Sequence, residues 1–181
     1  MSIFRRRKES IEQSALPDPA TKFPHPGNAE LFSFLKKEWL ETRNPRAEEL
    51  IRDYPTRTHP DLIERFRSLA PAQDVMQGSA YGCAIMTNSS ALVFAWTRGM
   101  NDIFLRLPRS LRQGAIDEIG RYDATYPEGW IGFPPFGSRY GTKVNPDEAL
   151  HRWVRTAYEE SLKITTFNES VTDLGKNQKP R

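Results

Sequence analysis

Two residues near the C-terminus could bind a metal ion. Asp147 and His151 lie four positions apart, a spacing that puts both side chains on one face of a helix. Carboxylate and imidazole groups are common ligands of zinc. A closed site needs further ligands, however, and His25, His59 and the single cysteine, Cys83, are distant in sequence. We therefore expect a solvated acid–histidine pair, and neither a metal nor a cofactor.

The chain has no contiguous motif for nucleophilic or phosphate chemistry. Ser138, within the stretch FGSRYG, lacks the Gly-x-Ser-x-Gly spacing of a nucleophile elbow. Neither a Gly-x-x-x-x-Gly-Lys-Ser/Thr loop nor a Gly-x-Gly-x-x-Gly fingerprint occurs. Two carboxylates in a predicted loop, Asp123 and Glu128, could do acid–base chemistry, although such groups are usually solvated. One alternative stays open, an active site assembled from residues distant in sequence: Asp123, Glu128, Arg139 and His151.

Residues 122–140 combine six aromatic side chains with prolines, glycines and arginine. Aromatic residues and arginine on a stiff backbone offer a large contact area at a low entropic cost, and they dominate the energetics of protein interfaces. We therefore predict a surface that binds a protein partner, formed by Tyr126, Trp130, Phe133, Phe136, Arg139 and Tyr140. The alternative is that this loop folds over a sheet edge and buries its aromatic side chains as a secondary core.

The elements that must position this loop are strands within residues 80–107. In residues 102–107, Ile103, Leu105 and Leu107 alternate with more polar positions, the period of two of a half-buried strand. Residues 91–97 are apolar on both faces, with Phe94 and Trp96 expected to share one of them. Residues 80–86 form the first strand. Short connections rich in turn-forming residues predict an antiparallel meander, to which residues 130–133 could add a fourth strand.

Helices are predicted on both sides of this block. Asn28 is expected to cap an amphipathic helix, and two short helices follow it, one after Pro45 and one beginning at Pro60. After the sheet, Asn145 and Pro146 begin a long helix with a continuous apolar stripe. The predicted fold class is α+β: a single domain in which an antiparallel three- or four-stranded meander sheet is packed by N-terminal helices and a C-terminal amphipathic helix.

Composition and charge narrow the classes of function. The chain has 181 residues and a net charge of +3. Residues 1–27 carry +2 and residues 165–181 carry +1, so that residues 28–164 are neutral. We interpret residues 1–27 as a disordered basic, proline-rich leader and residues 165–181 as a mobile tail. Residues 28–164 are expected to form one α+β domain. Because a nucleic-acid domain usually has a basic stripe on the fold itself, we expect no nucleic-acid partner; binding through the basic tails is the remaining alternative.

The functional prediction follows mainly from the missing catalytic motifs. The chain has no apolar run of roughly 20 residues, the length that spans a bilayer, and one cysteine allows no internal disulfide. We expect a small soluble protein in a bacterial-type cytoplasm, without a membrane partner. Its predicted role is that of a non-catalytic interaction module, such as an immunity or antitoxin-like protein, that binds and occludes a protein partner.

Overall fold

The fold is built around a five-stranded antiparallel sheet. A computed structural model describes residues 18–41, 58–99, 102–137 and 144–164. The strands are β1 (Met76–Ala80), β2 (Cys83–Thr87), β3 (Val93–Thr97), β4 (Ile103–Arg106) and β5 (Trp130–Phe133). They pair in sequence order, β1-β2-β3-β4-β5, and every pairing is antiparallel. The α+β class and the meander are therefore confirmed.

The predicted count of three or four strands was too low. The missed strand, β1, has the sequence MQGSA, and its residues pair in continuous register with β2. It contains no β-branched or aromatic residue, and most of it is exposed or half-buried, so neither propensity nor apolar alternation indicates a strand. Pairing with β2 through a tight turn at Tyr81 and Gly82, both with positive φ, is what makes this segment extended.

The helices are α1 (Pro19–Lys22), α2 (Ala29–Glu41), α3 (Pro60–Ser68), α4 (Arg109–Glu118) and α5 (Pro146–Leu162), with a 3₁₀ turn at Pro26–Asn28. Asn145 caps α5 as predicted, since its side chain accepts a hydrogen bond from the N–H of Asp147. The helix predicted after Pro45 lies outside the described residues. Within the part of the chain that is described, no helix has the length and apolar character needed to cross a membrane.

A bulge in β3 distributes its side chains differently from the prediction. The register with β2 shifts between Met86 and Thr87, so that Ala95 lies opposite Met86 but Val93 lies opposite Thr87. Phe94 is the extra residue, and a bulge of this kind interrupts the alternation of faces. Phe94 therefore packs in the cluster beneath α5, whereas Trp96 belongs to the cluster on the opposite face. The expectation that the two rings share a face was wrong for this reason.

One face of the sheet is covered by α5, which packs across β3 and β4. The apolar stripe of α5 supplies Leu150, Trp153 and Val154, and α3 adds Leu62 and Phe66 to the same cluster. The partly buried side chains of Leu111 and Ile116 of α4 pack against its margin. This is the larger of the two cores. The apolar periodicity of the C-terminal helix supplies the side chains that α5 contributes to it.

The opposite face is covered by α2 and by the residues that precede it. Leu31 and Leu35 of α2 pack there with Phe23, which is buried although the sequence places it in the leader. Asn28 does not cap α2; it lies in the 3₁₀ turn that leads into this helix, and its buried side chain bonds to β3 and to the segment just before it. Residues 18–28 are therefore part of the fold.

Candidate partner-binding surface

A cluster of aromatic rings lies on the sheet face that α2 covers. The rings of Trp96 and Phe104 stack at a centroid distance of 4.2 Å, and Trp130 meets Trp96 edge-on at 6.3 Å. Phe34 of α2 approaches Trp96 from outside the sheet at 6.3 Å. Stacked and edge-to-face pairs of this kind stabilise a core beyond their buried area. This cluster is the foundation on which the loop between α4 and β5 rests.

Two of the predicted contact residues lie in the interior. Trp130 is 3% exposed within the aromatic cluster, and Phe133 is completely buried on the other face, where its ring lies 6.1 Å from that of Trp153. Both belong to β5, and successive residues of a strand point to opposite faces of a sheet. Because this sheet is covered on both faces, both rings are core residues, and the surface that remains for a partner does not include them.

Tyr126 covers the outer edge of the aromatic cluster. Its half-buried ring lies 4.4 Å from Phe104, and 5.8 Å from both Trp96 and Phe34. Partial burial raises the pKa of the Tyr126 hydroxyl, an effect that the positive charge of Arg98 opposes. The side chain therefore has one face in the core and one toward solvent, which suits a residue at the margin of an interface.

Two ion pairs lie beside Tyr126. Arg98, just after β3, donates from both terminal nitrogens to one carboxylate oxygen of Glu38 on α2, at 3.2 Å. Arg121 donates to Asp102, just before β4. Asp102 is largely buried, and this burial raises the pKa of its carboxyl while Arg121 acts in the opposite direction. Both pairs tie separate elements together at the same end of the sheet.

Exposed aromatic side chains occur at this same end. Thr97, Ile103 and Phe133 are aligned across β3, β4 and β5, so residues just beyond Phe133 leave the sheet at the same end as Arg98 and Asp102. Tyr122 follows Arg121, and Phe136 follows the Pro134–Pro135 pair; each is 57% exposed. We name this surface the aromatic rim and define it by the following residues: Glu38, Arg98, Asp102, Arg121, Tyr122, Tyr126 and Phe136.

The six predicted contact residues thus separate into three groups. Tyr126 and Phe136 lie on the aromatic rim, and Trp130 and Phe133 lie in the core. Arg139 and Tyr140 lie outside the described residues. The prediction did not include Tyr122, although it belongs to the same aromatic segment, and its exposure could not be deduced from periodicity in a loop.

The residues considered for catalysis have separate local roles. Asp123 accepts hydrogen bonds from the backbone N–H and the hydroxyl of Thr125, which lowers the pKa of its carboxyl. Glu128 pairs with Arg112. His151 lies 3.8 Å from Asp147, which also accepts a hydrogen bond from Arg65 of α3. Within the described ranges, no hydrogen bond or ion pair joins Asp123, Glu128 and His151 to one another.

Asp147 and His151, the pair considered as metal ligands, take part in local contacts. Among residues 18–41, 58–99, 102–137 and 144–164, no group of three His, Cys, Asp or Glu side chains could hold a metal ion. Asp147 is instead shared between His151 and Arg65, and the guanidinium of Arg65 also donates to the carbonyl of Pro135 at 3.1 Å. This network joins α3, α5 and the segment that carries Phe136.

One buried charge was not expected from the sequence. Arg106 of β4 alternates with apolar residues and was assigned to the solvent side of a half-buried strand, but all four residues of β4 are buried. The strand is covered by α5 on one face and by the α2 side on the other. Arg106 therefore lies inside the molecule, with its guanidinium 4.9 Å from the centre of the Trp130 ring.

Comparisons with known proteins found no match: no protein-family model, no curated protein and no solved structure is similar to this chain.

Proposed function

We propose that this protein is a non-catalytic interaction module that binds a protein partner through the aromatic rim. The observation that carries the proposal is the exposure of Tyr122 and Phe136 at the end of the sheet that also carries two ion pairs. Tyrosine and arginine are enriched among the residues that dominate binding energy, and a polar margin around aromatic anchors is typical of protein interfaces.

The backbone beneath both anchors is held in place, which favours binding. The N–H and carbonyl of Arg121 both bond to Gly132 of β5, at 2.7 and 2.9 Å, immediately before Tyr122. The carbonyl of Pro135, immediately before Phe136, accepts a hydrogen bond from Arg65. Less conformational entropy is lost on association when a contact surface is already ordered. The rim is therefore suited to a partner that presents apolar pockets for two rings.

Within this proposal the module acts by occlusion. An immunity or antitoxin-like protein needs no chemistry of its own, since covering a functional surface of its partner is sufficient. The separate local roles of Asp123, Glu128 and His151 are consistent with a protein whose polar groups stabilise the fold. The expected partner is a protein in the same compartment, and not a nucleic acid.

Affinity capture with matched variants tests the proposal. Tagged full-length protein is used to capture partners from a lysate of the source cells. The proteins that it retains are compared with those retained by Tyr122→Ala/Phe136→Ala and by the control Met76→Ala/Leu162→Ala. The control residues are 42% and 40% exposed. Both lie at the opposite end of the sheet, because Met76 pairs with Thr87 at the end of β2 and Ser161, adjacent to Leu162, bonds to Asn88.

The expected result is one stoichiometric protein partner, retained by the control variant and lost by the rim variant. Each good anchor contributes about 2 kcal/mol, so the double variant is expected to bind roughly a thousandfold more weakly. Retention of the partner by the rim variant contradicts the assigned surface. The absence of any specific protein partner from the wild-type capture contradicts the proposed class of function.

A further inference from the structure

The guanidinium of Arg106 is buried, and no carboxylate of the described residues pairs with it. Only 8% of the residue is exposed. One terminal nitrogen, Nη2, donates to the carbonyl of Gly27 at 3.0 Å, whereas Nε and Nη1 contact no acceptor within the described part of the chain. A buried charged group with unsatisfied N–H donors is unfavourable. The face of Trp130 at 4.9 Å compensates only in part for this cost.

The charge of Arg106 persists at neutral pH. Burial lowers the pKa of its guanidinium to about 10, and the negative charge of Glu30 acts in the opposite direction. Glu30 is an exposed residue in the first turn of α2, and its carboxylate forms no ion pair with Arg106. The compensation from Glu30 is therefore electrostatic and acts at a distance, which leaves a full positive charge just inside the fold.

The positive end of a helix dipole lies beside this charge. Gly27 belongs to the 3₁₀ turn Pro26–Asn28, which continues directly into the 13-residue helix α2. The beginning of a helix carries the positive end of its dipole, and an anion there is stabilised. His25 precedes the turn and accepts a hydrogen bond from the N–H of Gly27. Burial and the nearby Arg106 both lower the pKa of His25, as expected next to an uncompensated cation.

We propose that Arg106 and the beginning of this helix bind a small oxyanion of the phosphate class. The free donors, Nε and Nη1, lie on different edges of the guanidinium, and each edge also includes Nη2. An oxyanion can accept two parallel hydrogen bonds along one of these edges, which a halide cannot do. A phosphate group carries more charge and more acceptor oxygens than a carboxylate. Because Nε and Nη1 are enclosed by the fold, binding requires a local movement of the segments that cover the guanidinium.

The proposal is tested by NMR spectroscopy on full-length, ¹⁵N-labelled protein. The protein is titrated with inorganic phosphate and, in a parallel experiment at equal ionic strength, with sodium chloride. Both titrations follow the Nε–H resonance of Arg106 and the indole N–H resonance of Trp130. We expect a saturable shift with phosphate and none with chloride. Acetate is expected to saturate only at higher concentration. Phosphate should also raise the melting temperature more than chloride does, because a ligand of the folded state stabilises it.

Two arginine variants make the assignment specific. Arg106→Met removes the guanidinium while retaining an apolar side chain, and it should abolish the phosphate-specific change in melting temperature. Arg112→Met is the matched control; Arg112 is already paired with Glu128 and donates to the carbonyl of Leu107, so this variant should retain the response. Should Arg106→Met fail to fold, the titration of the wild type still decides the question.

Four results would overturn the proposal. The first is the absence of a saturable, phosphate-specific shift of the Arg106 Nε–H in the wild type. The second is an unchanged phosphate response in Arg106→Met. The third concerns Glu30: if Glu30→Gln shifts the Arg106 resonance and phosphate does not, the carboxylate of Glu30 satisfies Arg106 in solution. Stronger binding of acetate than of phosphate would contradict the assigned class of anion.

Discussion

The side-chain oxygen of Asn28 accepts a hydrogen bond from the backbone N–H of Val93 at 2.8 Å, across 65 positions of sequence. The amide nitrogen of Asn28 donates to the carbonyls of Ala91, at 2.8 Å, and Phe23, at 3.1 Å. One buried amide therefore satisfies two backbone groups around the beginning of β3 and the carbonyl of Phe23. This contact fixes residues 23–28 against the sheet, including the carbonyl of Gly27 that Arg106 uses.

Asn28→Ala is expected to destabilise the protein by roughly 3 kcal/mol, because it leaves buried backbone groups without partners. Urea denaturation measures the free energy of unfolding. Asn145→Ala is the matched control, since Asn145 is an exposed helix cap and its loss should cost about 1 kcal/mol. Equal costs for the two substitutions would show that the Asn28 contacts contribute little.

Gly78→Ala tests the docking of Phe23 on β1. A Cβ atom at position 78 would lie 2.6 Å from the end of the Phe23 ring, which is buried. Because the ring has to move within a packed interior, we expect a loss of about 1–3 kcal/mol of stability, measured by denaturation. Ser79→Ala, at the exposed neighbouring position, should change stability by less than about 0.5 kcal/mol. A neutral Gly78→Ala would contradict this packing of Phe23.

Asp102 should make stability depend on pH in a defined direction. Burial raises the pKa of its carboxyl above 3.8, although Arg121 opposes this. The folded protein therefore binds this proton more tightly than the unfolded chain. The resulting stabilisation is complete below the unfolded-state pKa and is lost as the pH rises through the folded-state pKa.

Asp102→Asn removes this titration. The free energy of unfolding of the wild type, relative to that of Asp102→Asn, should increase as the pH falls from neutral to about 4. Urea denaturation of both proteins at several pH values measures this difference. A difference that decreases on acidification would mean that the Arg121 ion pair outweighs burial.

Trp130→Ala distinguishes a core residue from a contact residue. Trp130 is buried against Trp96 and beneath Arg106, so its truncation should cost about 3–5 kcal/mol of stability. Tyr122→Ala, on the aromatic rim, should change stability by no more than about 0.5 kcal/mol. Thermal denaturation of the two variants makes the comparison. Similar melting temperatures for both would contradict the division of the loop into a core part and a surface part.

The periodic segments of the chain could be predicted from the sequence. Apolar runs and apolar periodicity indicate the positions of four of the five strands and of the helix Pro146–Leu162. Two features depend on tertiary contacts and leave no local signal. The strand Met76–Ala80 is extended because it pairs with β2, and Phe94 changes face because of the bulge.

The candidate surface was predictable only in part. Composition identified the aromatic loop correctly as unusual, but it could not separate Trp130 from Tyr122, because aromatic rings serve cores and interfaces equally well. The separation depends on β5, which places Trp130 and Phe133 on the two covered faces. Arg106 could not be recognised as buried, because a lone charge in an alternating strand usually faces solvent.

The most direct test of the aromatic rim is hydrogen exchange of the full-length protein, free and bound to the captured partner. If the partner docks on the rim, amide exchange slows in residues 121–126 and 134–137, and it is unchanged in Met76–Ala80 and at the end of Pro146–Leu162. Slowed exchange at those two control segments, with no change at the rim, would contradict the proposed surface.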